Sequence, residues 1–187
     1  MTRAQAIDFL HAHMRSTNLR RHCYAVGAVM RALAGKLGGN PDEWEIVGIL
    51  HDADWEETKD NADGHTRHTL SWLRDMGMTD GPVVHALRSH NTKRTHLANL
   101  EGKMEWALET CDELTGFIVA VALVRPDKKL ATVTVESVLK KWKTKEFAKA
   151  VSREQIAQCE EKLGIPLPDF IQIALIAMQG MNEELGL

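Results

Sequence analysis

Gly48-Ile49-Leu50-His51-Asp52-Ala53-Asp54 closes an apolar run with an imidazole and a carboxylate side by side. Just upstream, Asn40-Pro41-Asp42-Glu43 is a helix-start signal, with an N-cap side chain, proline at the first helical position and acids in the first turn. From that start Trp44, Val47 and His51 share one helical face. Asp52 lies about 100° round from His51 near the helix end, where both side chains can turn toward one point. An imidazole and a carboxylate carried inward need partners, and other helices supply them.

Upstream, Leu19, Cys23, Val26, Met30, Leu33 and Leu37 recur in steps of four and three, define one face and stop at Gly38-Gly39. His22 lies on that face. Before it, Thr2 and Gln5 form a capping box for a helix running to about His13. Downstream, Asp54 to Gly64 is polar and reads as a surface loop at the mouth of whatever His51 and Asp52 form. Helical periodicity returns from His65 to Met76 through Leu70, Trp72 and Leu73, with His65 nearer the centre of the apolar face than His68. Pro82 opens the next helix, which turns Val83, Leu87 and His90 inward and His85 and Arg88 elsewhere. A longer segment through Met104, Leu108, Cys111, Thr115, Ile118 and Ala122 carries Asp112 against a core face.

Beyond the basic turn Arg125-Pro126-Asp127-Lys128-Lys129, the β-branched run Ala131 to Val135 has no partner strand and is expected to be an extended connector. Helices follow around Glu136 to Trp142, from Ser152 to Leu163, and from Pro168 through Ile171, Leu175 and Met178. The expected class is all-α: a single domain over residues 1–187, with about nine helices around one core, a site-bearing part at 15–125 and a helical extension at 126–187.

With 187 residues, 44% hydrophobic and 26% charged, the chain has the composition of a globular domain. A net charge of −3 argues against nucleic acid as an obligate partner. No stretch approaches the roughly 18 apolar residues of a membrane span, and a cytoplasmic address is expected by default. Three cysteines without CxxC spacing suggest buried thiols rather than disulfides or a thiolate zinc site.

Burying His22, His51, Asp52 and Asp112 from three helices is costly unless each is satisfied. Either each finds its own hydrogen-bond partner, or one divalent cation collects all four, two carboxylates cancelling its charge. The coincidence of four favours the cation.

These residues resemble the HD-domain metal-dependent phosphohydrolases, named for an adjacent His-Asp pair. The family's pattern of a histidine, the doublet and a distant aspartate maps onto His22, His51-Asp52 and Asp112. The flanking words Asn18-Leu19-Arg20-Arg21-His22 and Glu109-Thr110-Cys111-Asp112-Glu113-Leu114 are similar too, and the resemblance covers roughly residues 15 to 125. It implies one or two divalent ions, with Mn, Fe, Mg, Zn, Co and Ni all compatible. It also implies a second ion held by two further histidines, for which His65 and His90 stand in the right interval, His68 being the runner-up for the first. Asp52 would then bridge.

The resemblance implies hydrolysis of a small phosphorylated metabolite or nucleotide by metal-activated water. Asp54 and Glu56, just past the doublet, are candidates for general acid or base, with a solvated loop as the plainer reading. Arg21, Lys93, Arg94, Arg125, Lys128 and Lys129 are candidate phosphate donors, of which Lys93 and Arg94 follow His90 within one turn. Two other functions fit the same pattern: a di-iron oxygenase cleaving a carbon bond, and a non-catalytic regulatory or ligand-binding module with a structural metal. An oligomer is compatible with either.

Overall fold

The computed structural model describes all residues, 1–187. Its first two helices are α1 (Arg3–His13) and α2 (Thr17–Leu37), and each starts where a side chain caps free N–H groups. The Thr2–Gln5 capping box opens α1, and Ser16 accepts from Leu19 N at the head of α2. Gly38, at φ 77°, ends α2 in the left-handed conformation that glycine adopts without steric cost. Asn40 caps and Pro41 opens α3 (Pro41–Leu50).

Helices α2 and α3 pack at backbone distance. A Cβ built on Gly48 would lie 2.6 Å from both the Cα and N of Gly27, so two glycines face each other where no side chain fits. That close approach sets His51, at the C-terminal end of α3, opposite His22 on α2.

Next come α4 (Trp55–Thr58), a 3₁₀ turn at Ala62–Gly64, α5 (Arg67–Asp75), α6 (Pro82–Ser89) and α7 (Thr92–Thr95). The long α8 (Lys103–Leu123) runs through the core, burying Leu108, Cys111, Leu114, Phe117, Ile118 and Val121, and carries Asp112 inward. The segment Asp54 to Gly64 is therefore not the open polar loop expected. It is part helical, and Asp54 and Thr58 are buried.

The C-terminal part consists of α9 (Val135–Trp142), α10 (Arg153–Gln158) extended by a π turn to Leu163, α11 (Leu167–Gln179) and α12 (Asn182–Leu185). The β-branched run before α9 forms a 3₁₀ turn at Leu130–Thr132 and no strand. These helices pack back on the rest, α11 against α2 and α10 against α8. Arg153 staples the junction: its guanidinium lies 4.9 Å from the Phe117 ring centroid and donates to the carbonyls of Trp142, Thr144 and Phe147. One cluster of buried apolar side chains runs from Ala6 to Leu185, and the chain is all-α. No helix is long and apolar enough to cross a membrane. Cys23, Cys111 and Cys159 are free and buried.

Candidate metal centre

His22 on α2, His51 at the end of α3 and Asp112 on α8 meet at one point. His22 Nε2 lies 2.9 Å from Asp112 Oδ1, and His51 Nε2 lies 3.5 Å from the same oxygen. Asp52 Oδ2 completes the set, 3.6 Å from His51 Nε2 and 3.8 Å from His22 Nε2. The other oxygen of that carboxylate faces a second pair of imidazoles: Asp52 Oδ1 is 3.1 Å from His65 Nε2 and 3.6 Å from His90 Nε2. A single carboxylate thus presents one oxygen to each of two histidine pairs.

For His22, His51 and His65 the far ring nitrogen explains why Nε2 faces inward, whereas His90 Nδ1 is buried without a partner. His51 Nδ1 donates to Gly48 O at 2.7 Å, one turn back on α3. His65 Nδ1 donates to Asp54 Oδ1 at 2.8 Å, and His22 Nδ1 is 3.5 Å from the Thr115 hydroxyl, which itself donates to Asp112 O. In the neutral ring the proton then sits on Nδ1, and Nε2 of these three histidines turns its lone pair toward the centre. His51 Nε2 is fully buried and has no hydrogen-bond partner at all. A buried ring nitrogen that lacks hydrogen-bond geometry to its carboxylate neighbours carries a cost that a bound cation would remove. Four imidazoles and two carboxylates are also a donor set suited to divalent transition metals.

Electrostatics point the same way. Burial alone lowers the His51 imidazole, but the Asp52 and Asp112 carboxylates outweigh it and raise His51 to about 9. Burial likewise works against His65, yet hydrogen bonds to Asp52 and Asp54 raise it to about 9. Although desolvation opposes ionisation, the surrounding imidazoles hold Asp52 and Asp112 well below the ordinary carboxylate range. The cluster keeps both acids ionised at neutral pH.

His65 and His90 do not sit on helices, as their periodicity suggested. His65 precedes α5 in extended backbone (φ −58°, ψ 140°), and His90 caps α6 in the same conformation (φ −62°, ψ 137°). Each is followed by a non-glycine residue at positive φ, Thr66 at 70° and Asn91 at 56°. These reversals turn the two rings inward. His68 points outward, half-exposed, with Nδ1 3.0 Å from Glu57 Oε2.

Asp54 is the clearest departure from the sequence reading. Its side chain is wholly buried and its two oxygens accept from His65 Nδ1 and from the backbone N–H groups of Thr66, His68 and Thr69. It is a structural anchor for the head of α5, with no open edge toward the cavity. Glu56 is tied down elsewhere, accepting from the N–H groups of Arg15 and Ser16 at the α1–α2 junction. Arg125 bonds Thr132 and pairs with Asp127 on the C-terminal turn, away from the centre. Arg21 lines a separate cavity on the far side of His22 and abuts Gly186. Of the predicted phosphate donors, Lys93 and Arg94 on α7 reach the cavity at the centre.

That cavity encloses about 340 Å³ and is walled by Asp52, Asp112, His65 and His90 on the metal side. Trp55, Glu109, Glu113 and Gln155 complete the wall and were not picked out from sequence. Trp55 meets the His65 ring edge-on, with centroids 5.1 Å apart. Glu109 Oε1 pairs with Lys93 Nζ at 3.2 Å, and Gln155 donates to Glu109 O. Burial raises the Glu113 carboxyl above its ordinary value, with Asp112 and Glu109 adding to it. Spacing on α8 would have found the two glutamates, since Glu109 is one turn before Asp112 and Glu113 one turn after Glu109. Local sequence marks Gln155 only as the capping-box partner of Ser152, whereas its side chain turns to Glu109 O on the cavity wall.

This all-α chain gathers four histidines around the Asp52 carboxylate, with Asp112 beside two of them, a donor set that could hold divalent ions. More specifically, it belongs to the HD domain family, whose model matches residues 19–158. Domains of this family are typically those of metal-dependent hydrolases that bind divalent ions. The match extends past α8 into α10, so the helix that supplies Gln155 lies inside it. Searches of curated proteins and of solved structures returned no match.

Proposed function

We propose that this protein hydrolyses a phosphoric ester or anhydride bond of a small molecule at a dinuclear centre. His22, His51 and Asp112 would hold one ion, His65 and His90 the other, with Asp52 between them. The observation that carries the reading is the two-sided Asp52 carboxylate, one oxygen toward each histidine pair. When bound, such ions supply a hydroxide at neutral pH and polarise the phosphoryl oxygens.

The chain's own groups have separate tasks. His51 and His65 hold their protons on Nδ1, against Gly48 O and Asp54, which keeps Nε2 free for ligation. Lys93 and Arg94 stand at the cavity rim, where a phosphate oxygen not held by metal finds a cationic donor. Glu109 holds Lys93 in place when no substrate is bound. With a polar wall and a volume near 340 Å³, the cavity suits one small phosphorylated metabolite or nucleotide rather than a polymer.

The test joins metal analysis to a phosphate-release panel on purified protein. About two ions per chain with hydrolysis of at least one phosphorylated compound is the expected result, and Asp52→Asn should lose both ions and more than 99% of the rate. Two irons with a mixed-valence spectrum and no phosphate release from any compound would replace hydrolysis with oxidative chemistry.

A further inference from the structure

On another face of the molecule, between α5, α6 and the segment after α7, a cavity of about 250 Å³ is lined by Arg67, Arg74 and Arg88. We infer that it is a second binding site, for a small phosphorylated ligand whose anionic group the three guanidiniums hold while its apolar part lies against Leu70, Val84 and Leu97.

Charge comes first. No carboxylate lines the cavity. The arginine and lysine ion pairs of the protein involve Arg3, Arg31, Lys93, Arg125 and Lys162, and none of these three arginines. Three uncompensated positive charges on one concavity, in a chain of net charge −3, repel one another until an anion enters.

Geometry comes second. Arg67 is fixed by its Nε to Asp63 O at 3.0 Å and its Nη2 to Thr95 O at 3.1 Å, and Arg88 by its Nη2 to Thr79 O at 3.1 Å. Each guanidinium has five N–H donors, so both keep several free after these bonds are made. Arg74, exposed in the last turn of α5, has no protein partner. Two forks held by backbone carbonyls and one free to close suit the several oxygens of a phosphate better than the two of a monocarboxylate.

A nucleic acid is the wrong occupant. Asp75 adjoins Arg74 and Asp80 adjoins Thr79, and both acids are exposed, so the basic surface does not extend into a track. The site shares no lining residue with the metal cavity, yet Arg67 bonds the carbonyl that closes α7, the helix of Lys93 and Arg94.

Inorganic phosphate is the probe, titrated calorimetrically into the metal-loaded protein. Wild type should show two classes of site, one of which Asp52→Asn removes and the other of which Arg74→Glu weakens at least tenfold while metal content and melting temperature stay unchanged. Arg74→Lys, which keeps the charge but not the fork, should weaken it by less. An isotherm unchanged in Arg74→Glu, or a single class that disappears with Asp52→Asn, overturns the inference while leaving the metal centre standing; Asp52→Asn protein that keeps both ions and both phosphate classes overturns only the catalytic reading.

Discussion

The two halves of the proposed metal centre are built on opposite principles. His22, His51 and Asp112 stand on core helices, or at the end of one, so helix packing sets where they lie and hydrogen bonds such as His51 Nδ1 to Gly48 O only orient the rings. His65 and His90 come from chain reversals with positive-φ neighbours, and a buried carboxylate, Asp54, holds the first by hydrogen bonds. One half depends on steric fit and the other on polar satisfaction. The two should fail differently.

The sharpest break on the helical side is Gly48→Ala. A methyl there meets the Gly27 backbone at 2.6 Å, and neither helix can yield without displacing the core. Loss of about 3 kcal/mol or more is expected in urea unfolding. Because His51 is carried on the same helix, bound metal should fall to near zero in elemental analysis. Retention of both ions would mean that α2 and α3 separate without moving the ligands.

Asp54→Asn breaks the other half. The substitution keeps shape but removes the charge that receives His65 and three backbone N–H groups, a loss of about 1.5–3 kcal/mol for a charged hydrogen-bond acceptor. The expected outcome is one ion instead of two, with the α2–α3–α8 half still loaded. If both ions stay, His65 does not need Asp54 to face the centre.

These contrasts also explain what the sequence made legible. The starts of α1 and α3 and the glycine end of α2 follow from capping signals, and the all-α class and the inward set His22, His51 and Asp112 from apolar spacing, because helix packing is what spacing encodes. The same spacing turns His65 and His90 inward, and both are buried, but for a reason the structure replaces. Periodicity assumed helix at residues that are extended, and the reversal at Thr66 is made by a β-branched residue that no turn rule would place at positive φ. Asp54 reads as a loop acid in sequence because its four donors lie 11 to 15 residues downstream, a pairing that local pattern does not carry. Glu56 and Arg125 failed likewise, since nearness to a motif in sequence says nothing of where a side chain is tied.

Proton release separates the halves by pH. In the metal-free protein His51 and His65 are each raised to about 9, so both are charged at pH 7. Ligation needs a neutral imidazole, so metal binding at pH 7 should release about two protons, fading toward none above pH 10. Calorimetry in two buffers of different ionisation enthalpy reads this directly, and Asp54→Asn should reduce it to about one. The sign for stability follows. Folded-state values above the unfolded 6.5 mean that the metal-free protein has this stabilisation in full below pH 6.5 and loses it as pH rises through 9. Its melting temperature should fall across that window, and that of the metal-loaded protein should not.

The smallest expected effect tests which histidine the turn-borne half uses. His68 is half-exposed, its ring pairs with Glu57 and lies T-shaped against Trp72, and its contribution to the centre is a backbone N–H supplied to Asp54. His68→Ala should therefore change stability by no more than about 0.5 kcal/mol, as surface substitutions do, and leave metal content unaltered. His65→Ala removes a buried ring whose Nε2 lies 3.1 Å from Asp52, and should reduce the count from two ions to one. Equal metal loss in the two variants would place His68 at the centre and require the reversal at Thr66 to turn the other way.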